Sequence, residues 1–359
     1  MNSSLLLNYS NQYLYFQKPK ILIKYEPFMC FGVKTFQTLK INVMRLIKYT
    51  LVGLLFLMFN SAFSQSLAEQ LGFKPTDKIL IITAEDAGLC NATNEAIIQV
   101  FQRGTITGTS IMAPCPWSLE MIDFAKRNQN YSYGLQLTLT SDYKNLYTWR
   151  PIASEDKVPS LLNDKGMMLS EMTDLYKTAN IAQVETELRA QIEWAKKCGL
   201  PINYLTSHLE VLTYNQSYFD VLVKLAGEYG FPIRFLNNPN YGNDIEAREK
   251  ALQAKGILHP DNIIWNELDS IKSNRDVKPV LETIIRNLKP GVTELFVHPS
   301  ILSPEIKNLT RNYSRKVEEY EWLINPDLLT LLKQNDIKLI SYKELYKLQQ
   351  TKKLVPKGK

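Results

Sequence analysis

The chain has 359 residues, of which 45% are hydrophobic and 22% charged, a composition typical of a globular protein with a buried core. Its net charge of +6 comes from residues 1–64, which hold seven of the 42 basic side chains and one of the 36 acidic ones. The remaining 35 basic and 35 acidic side chains balance, which excludes the strongly basic surface expected of a nucleic-acid-binding protein.

The segment 44–64, MRLIKYTLVGLLFLMFNSAFS, has the layout of a secretory signal peptide. The basic residues Arg45 and Lys48 precede an apolar core over 49–59, and a small-x-small triplet follows at 62–64. A membrane anchor is the alternative, but this core is shorter than the roughly 20 apolar residues that a spanning helix needs. The pattern therefore predicts export to the periplasm or the medium.

Residues 1–43 are unusual upstream of a signal peptide. We interpret them as an artefact of a start assigned too early, or as a disordered leader, with translation beginning at Met44. Cleavage would then leave a mature protein that starts at Gln65 and has no stable membrane span. The oligomeric state stays open.

Short apolar runs alternate with amphipathic segments along the rest of the chain. Strands are predicted at 78–83, 109–113, 133–138, 204–207, 232–236, 293–297 and 338–340. Helices are predicted at 91–103, 118–127, 184–198, 216–229, 277–287, 326–334 and 342–348, with a long polar loop over 142–180. This alternation is typical of an α/β fold with a parallel sheet, and we predict one (β/α) barrel domain over 65–359, distorted and with seven to eight strands.

Candidate catalytic residues lie where the predicted strands end, which is where parallel α/β barrels carry their active sites. The first strand runs into Glu85 and Asp86, the third contains Gln136, and two later strands run into His208 and His298. A divalent cation held by carboxylate and imidazole groups would activate a water molecule, a free carboxylate would take its proton, and a histidine would protonate the leaving amine. The alternative for the acidic pair is a polar turn that caps the next helix.

Several segments resemble the YdjC-like, ChbG-type carbohydrate deacetylases. They are ILIITAEDAGLCNATNEAII, GTSIMAPCPW, YGLQLTLT, YLTSHLE and TELFVHPS, and they occur in the family's order over about 75–348. The resemblance implies a barrel-like fold, a divalent metal ion bound by one Asp and two His, and hydrolysis of the acetamido group of an N-acetylated saccharide. It implies Asp86 and His208 as metal ligands, Glu85 as the catalytic base, and His298 as a second catalytic residue.

Three positions depart from the family pattern. Gln136 stands where the family has a metal-binding histidine, Glu85 where it has aspartate, and Thr206 where it has the aspartate before His208. The resemblance leads us to expect Mg²⁺ or Zn²⁺ with Gln136 as its third ligand. An amide oxygen suits Mg²⁺ better than Zn²⁺. A non-catalytic saccharide-binding relative with a degenerate metal site is the second hypothesis. A glycosidase that uses Glu85 and Glu210 is a third, and it depends on the separation of the two acids.

The loop after Gln136 contains candidate saccharide-binding residues. Tyr143, Trp149 and Arg150 lie in the stretch SDYKNLYTWRP, just beyond the expected site. Aromatic rings stack on sugar rings, and arginine binds polar or anionic groups. The alternative is that these side chains only pack the loop against the rim of the barrel.

Overall fold

A curved, fully parallel sheet forms the centre of the computed structural model, which describes residues 65–143, 147–236, 244–264 and 277–354. The predicted leader and signal peptide, 1–43 and 44–64, lie outside the described residues. The strands of the sheet are β1 (Lys78–Ala87), β2 (Gly108–Ile111), β3 (Ser132–Leu137), β4 (Ile202–Ser207), β5 (Asn262–Ile264), β6 (Gly291–Val297) and β7 (Ile337–Leu339).

Helices follow the strands and cover the sheet. They are α1 (Leu67–Gln70), α2 (Asn91–Arg103), α3 (Ser118–Arg127), α4 (Met172–Thr178), α5 (Ile181–Lys197), α6 (Val211–Tyr214), α7 (Gln216–Tyr229), α8 (Ile245–Ala254), α9 (Val277–Arg286), α10 (Pro304–Leu309), α11 (Tyr313–Ile324), α12 (Asp327–Gln334) and α13 (Tyr342–Leu354). Short 3₁₀ turns occur at Glu155–Lys157, Pro159–Leu161 and His208–Glu210.

Strand β1 is the central strand, and its residues after Lys78 are all buried, as expected for a strand covered on both faces. The strand order is β4-β3-β2-β1-β6-β5, and β7 pairs with the first three residues of β1. Beyond β4 the curvature continues through a single parallel bridge between Leu205 and Ile233. The sheet is therefore curled into a half-barrel, which confirms the prediction of a distorted (β/α) barrel.

Most predicted elements are present with ends that shift by a few residues, and α2, α3 and α7 have the predicted bounds. The segment 232–236, predicted as a strand, contributes only the bridge at Ile233. Helices α1, α4, α6, α8, α10 and α11 and strand β5 were not predicted. All but α11 are short or have few apolar residues, and α4 lies within the segment 142–180 that was predicted as a loop. Of these, α11 proves important for the site.

The described residues from Gln65 onwards form one compact unit around an aliphatic core. A second apolar cluster includes residues of β1, β4 and β6, and in it Tyr204 stacks on Tyr342 with ring centroids 4.0 Å apart. Gly134 makes room for this pair, since a Cβ there would lie 2.5 Å from the ring of Tyr204. Within the described part of the chain, no helix is both long and apolar enough to cross a membrane.

Candidate functional site

A cavity of about 750 Å³ opens at the carboxyl ends of the strands. Its volume lies in the range typical of small-molecule sites. The lining side chains that matter for the chemistry are Asp86, Gln136, Tyr143, His208, His298 and Lys316. The cavity therefore contains most of the residues predicted from sequence, together with a lysine that was not predicted.

An irregular backbone directs the acidic pair at the end of β1. The register between β1 and β2 shifts between Ala84 and Ala87, and this bulge contains Glu85 and Asp86. Asp86 has φ of 63°, a left-handed conformation that costs free energy in a residue other than glycine. Its backbone N–H donates to Gln136 Oε1 at 2.9 Å. As a result the two neighbouring carboxyl groups point to different surroundings.

The Asp86 carboxylate is buried and fully engaged by neighbouring donors. Its Oδ1 accepts from Gln136 Nε2 at 3.2 Å. Its Oδ2 accepts from the Tyr143 hydroxyl at 3.0 Å and from the Lys316 ammonium at 2.8 Å. Burial alone would raise the pKa of Asp86, but the positive charge of Lys316 and the nearby His298 and His208 hold it well below its usual range.

Both ring nitrogens of His208 are also engaged. Nε2 lies 2.7 Å from Asp142 Oδ1, and Nδ1 lies 3.2 Å from Gln136 Nε2. Because the Gln136 amide nitrogen is a donor, it favours a ring whose Nδ1 accepts a hydrogen bond and whose Nε2–H donates one to Asp142. Burial would lower the pKa of His208, but the charge of Asp142 raises it above its ordinary value.

Gln136 connects these two groups and its orientation is fixed. Its oxygen accepts the backbone N–H of Asp86, so its nitrogen must face the carboxylate of Asp86 and the ring of His208. A histidine at this position could offer a lone pair to a metal ion, whereas the Gln136 amide presents hydrogens to the same atoms. Asp86, Gln136 and His208 therefore meet as predicted, but they are joined by hydrogen bonds to one another.

These contacts do not fit a divalent metal ion. Every atom of Asp86 and His208 that could bind one already accepts or donates a hydrogen bond, and the Lys316 ammonium lies against Asp86. Within the described ranges, no group of three or more His, Cys, Asp or Glu side chains is arranged to hold a metal ion. Thr206, which replaces the family aspartate, is directed to Glu85 Oε2 at 3.3 Å.

Glu85, predicted as the catalytic base, belongs to a buried ion-pair cluster inside the half-barrel. Its Oε1 accepts from Arg234 Nη2 at 2.8 Å and from the Ser110 hydroxyl at 2.7 Å. The same Arg234 nitrogen donates to Glu294 Oε1 at 2.7 Å. Burial would lower the pKa of Arg234, but Glu294 and Glu85 raise it well above its usual range. With both oxygens engaged, Glu85 is a partner of Arg234 rather than a free base.

Glu210 lies on the other side of the same guanidinium, with Oε1 3.8 Å from Arg234 Nη1. Burial raises the pKa of Glu210 to about 7, although Arg234 opposes the shift. Since the guanidinium contacts both acids, Glu85 and Glu210 do not face each other across an open space. This arrangement gives no support to the glycosidase hypothesis.

His298 follows β6 and lines the cavity beside Asp86. Its backbone N–H donates to Glu319 Oε2 at 2.5 Å, which fixes the end of the strand to helix α11. Burial lowers the pKa of His298 to about 3, although the charge of Asp86 opposes this. The ring is therefore neutral near neutral pH, and burial makes it a weak base.

The three residues predicted to bind a saccharide have different surroundings. Tyr143 reaches the cavity and donates to Asp86. Trp149 is 3% exposed and packs in an apolar cluster beneath the loop. Arg150 points to solvent and pairs with Glu155. Of the three, only Tyr143 lies where a bound saccharide could contact it.

Three polar residues at or beside the site were not predicted as site residues. They are Asp142, Arg234 and Lys316. The sequence could have indicated Asp142 as a site residue, because it follows the third strand in the same loop as Tyr143. Arg234 lies in a segment predicted as a strand, where an isolated charge in an apolar run could have been noticed. Lys316 lies in a helix that was not predicted at all.

The family model for YdjC-like proteins matches residues 79–334, which is most of the chain. A carbohydrate deacetylase of Thermoanaerobacter pseudethanolicus is 26% identical over 266 residues, covering 74% of this chain and 98% of the relative. A carbohydrate deacetylase of Geobacillus stearothermophilus is 28% identical over 269 residues, covering 75% and 98%. A crystal structure of an Enterococcus faecalis protein superposes with a TM-score of 0.63 at 25% identity, covering 75% of this chain and 99% of that protein.

Proposed function

Because this chain belongs to the YdjC-like family, we propose that it is a hydrolase that removes acetyl groups from N-acetylated saccharides. The match to the family model confirms the resemblance that the sequence motifs indicated. Relatives named carbohydrate deacetylases align over nearly their whole length, which supports the same reaction class here. The observation that carries the proposal is the cavity at the strand ends, where Asp86, His208 and His298 converge.

The chemistry we propose uses groups of the chain itself. Hydrolysis of an acetamide needs a positive group at the carbonyl oxygen and a group that takes a proton from the attacking water. The Lys316 ammonium provides the positive group, and the ring of His298 in the cavity wall provides the proton acceptor. Burial makes this ring a weak base, and the adjacent charge of Asp86 stabilises the proton that it takes. Once protonated, His298 returns that proton to the leaving amine, so protons balance over the reaction. Mg²⁺ or Zn²⁺ stays a prediction from the resemblance, and the contacts of Asp86 and His208 argue against it.

Saccharide binding without turnover is a second candidate. A specific observation favours it: Asp86, Gln136 and His208 are hydrogen-bonded to one another, and their other polar atoms are engaged by Tyr143, Lys316 and Asp142. A closed network of this kind holds its members in place but leaves them less available to a reacting group. Such a protein would bind the sugar with Tyr143 and the polar cavity wall and release no acetate.

Acetate release from N-acetylglucosamine oligosaccharides tests both candidates. The protein is assayed after dialysis against EDTA and again with Mg²⁺ or Zn²⁺ added, while calorimetry measures saccharide binding. Replacement of His298 by Asn should abolish release, whereas His259→Asn should not, since His259 lies outside the cavity lining and its Nδ1 lies 2.9 Å from the carbonyl of Pro260. Binding without release supports the second candidate, and the absence of both refutes the two proposals together.

Export is a further part of the proposed function. It is supported by the signal-peptide pattern over 44–64. An exported enzyme would act on saccharides outside the cytoplasm. The N-terminal sequence of protein recovered from the periplasm or medium should begin at Gln65, and a start far from Gln65 would contradict this.

A further inference from the structure

Asp86 and Lys316 form an ion pair buried at the bottom of the cavity. The Asp86 carboxylate is 2% exposed and Lys316 is 7% exposed, and their charged atoms are 2.8 Å apart. A buried carboxylate requires a nearby positive charge, and lysine is seldom buried unless it is paired. Asp86 is the position that the family resemblance assigns to the metal, so the ammonium provides the charge that a metal ion would provide.

Two contacts between α11 and the end of β6 hold Lys316 toward Asp86. Its own carbonyl accepts the backbone N–H of Ser300, just beyond β6. One turn further along α11, Glu319 accepts the backbone N–H of His298. The helix is thus attached at two points to the strand end that lines the cavity. A surface lysine that reached the carboxylate by chance would lack these attachments.

The ammonium and a divalent ion cannot share Asp86 Oδ2. A zinc ion bound to a carboxylate lies about 2.0–2.2 Å from its oxygen, inside the space that the ammonium at 2.8 Å fills. The two positive charges would also repel each other across a poorly solvated site. Lys316 therefore excludes the ion from Oδ2 by its volume, and its charge disfavours an ion at Oδ1.

Gln136 acts on the same atoms as Lys316, although the two residues are far apart in the sequence. Its amide nitrogen directs hydrogens to Asp86 Oδ1 and His208 Nδ1, which are atoms that a metal ion would need. One residue supplies the missing positive charge, and the other fills the remaining acceptors. The two together account for a stable site without an ion.

We propose that Lys316, supported by Gln136, permanently replaces the divalent cation, so that this protein is a metal-independent member of its family. The proposal does not rest on the proposed reaction, because it concerns what binds to Asp86. It predicts that the wild-type protein neither retains nor takes up a divalent ion. It also predicts that Lys316→Met combined with Gln136→His opens a metal site.

Metal content and cobalt spectra test this proposal without an activity assay. The wild-type protein, purified without chelator, should contain far less than one equivalent of any divalent metal. It should also show no d–d absorption with Co²⁺ and no rise of Tm with Zn²⁺. The double variant should bind one equivalent of Co²⁺ with a d–d band and gain several degrees of Tm with Zn²⁺. Lys338→Met is the matched control, since it removes a lysine 2.7 Å from Asp77 and outside the cavity lining, and it should behave as wild type.

Two results would overturn the proposal. One is a wild-type protein that holds a stoichiometric metal ion after dialysis, a measurement that does not depend on whether any variant folds. The other is a double variant that is folded by circular dichroism and still binds no Co²⁺, since the ammonium and the amide would then not be what excludes the ion.

Discussion

Replacing Arg234 by Met should strongly destabilise the protein, because one guanidinium neutralises a group of buried carboxylates. Arg234 is 2% exposed and donates to Glu294 through Nε at 3.1 Å and Nη2 at 2.7 Å. It also donates to Glu85 at 2.8 Å and to the Thr83 hydroxyl at 3.1 Å. Breaking a buried pair from one side costs about 3–5 kcal/mol, since the remaining charge is left in a poorly solvated interior.

The hydroxyl donors that remain favour the lower end of this range. Glu294 still accepts from Thr83 at 2.7 Å and from Tyr342 at 2.6 Å. Glu85 still accepts from Ser110 at 2.7 Å. Removing one of the two charges should therefore recover part of the loss, and Arg234→Met with Glu294→Gln should be about 1–2 kcal/mol more stable than the sum of the single changes.

Urea unfolding followed by far-UV circular dichroism measures these differences, provided that the slope with denaturant is unchanged among the variants. Arg127→Met is the matched control: its pair with Asp123 at 2.7 Å is exposed on α3, so the change should stay within about 0.5 kcal/mol. An Arg234→Met protein within about 1 kcal/mol of wild type would refute the reasoning, because the carboxylates would then not need that charge.

Three further predictions concern groups at or near the site. Burial raises the pKa of Glu210 to about 7 from its ordinary value of 4.5. The unfolded chain therefore loses this proton first as pH rises, and stability falls between these two values; Glu210→Gln should remove that fall, gaining about 1–3 kcal/mol above pH 7 and little near pH 5 in urea unfolding. Gly134→Ala should cost about 1–3 kcal/mol because its Cβ would lie 2.5 Å from the Tyr204 ring, and an unchanged thermal transition would contradict this. Tyr143→Phe removes a donor 3.0 Å from Asp86 and should lower the free energy of unfolding by about 1–2 kcal/mol; a neutral effect would mean that water takes over the hydroxyl's role.

The sequence by itself determined the architecture and the place of the site. Continuous apolar runs such as Ile79–Ile82 predict strands buried on both faces, and the glycines at 104 and 230 mark the ends of α2 and α7 in a left-handed conformation. These are local signals, because each depends on neighbouring residues alone. The carboxyl ends of parallel strands meet at one edge, so the positions of Asp86, His208 and His298 in the order of elements were enough to predict that they converge.

Only the tertiary structure decided which charges meet. Lys316 is 230 residues from Asp86 in the chain, and Arg234 is 149 residues from Glu85. The helix that carries Lys316, YSRKVEEYEWLI, has apolar residues at helical spacing, but it also buries Lys316 and Glu319, two charged residues that a sequence pattern places in solvent. The direction of its lysine could therefore not be predicted. Whether Asp86 faces a metal ion or an ammonium, and whether Glu85 is a base or an ion-pair partner, depends on how distant elements pack. Residue types at the strand ends carry no information about those partners.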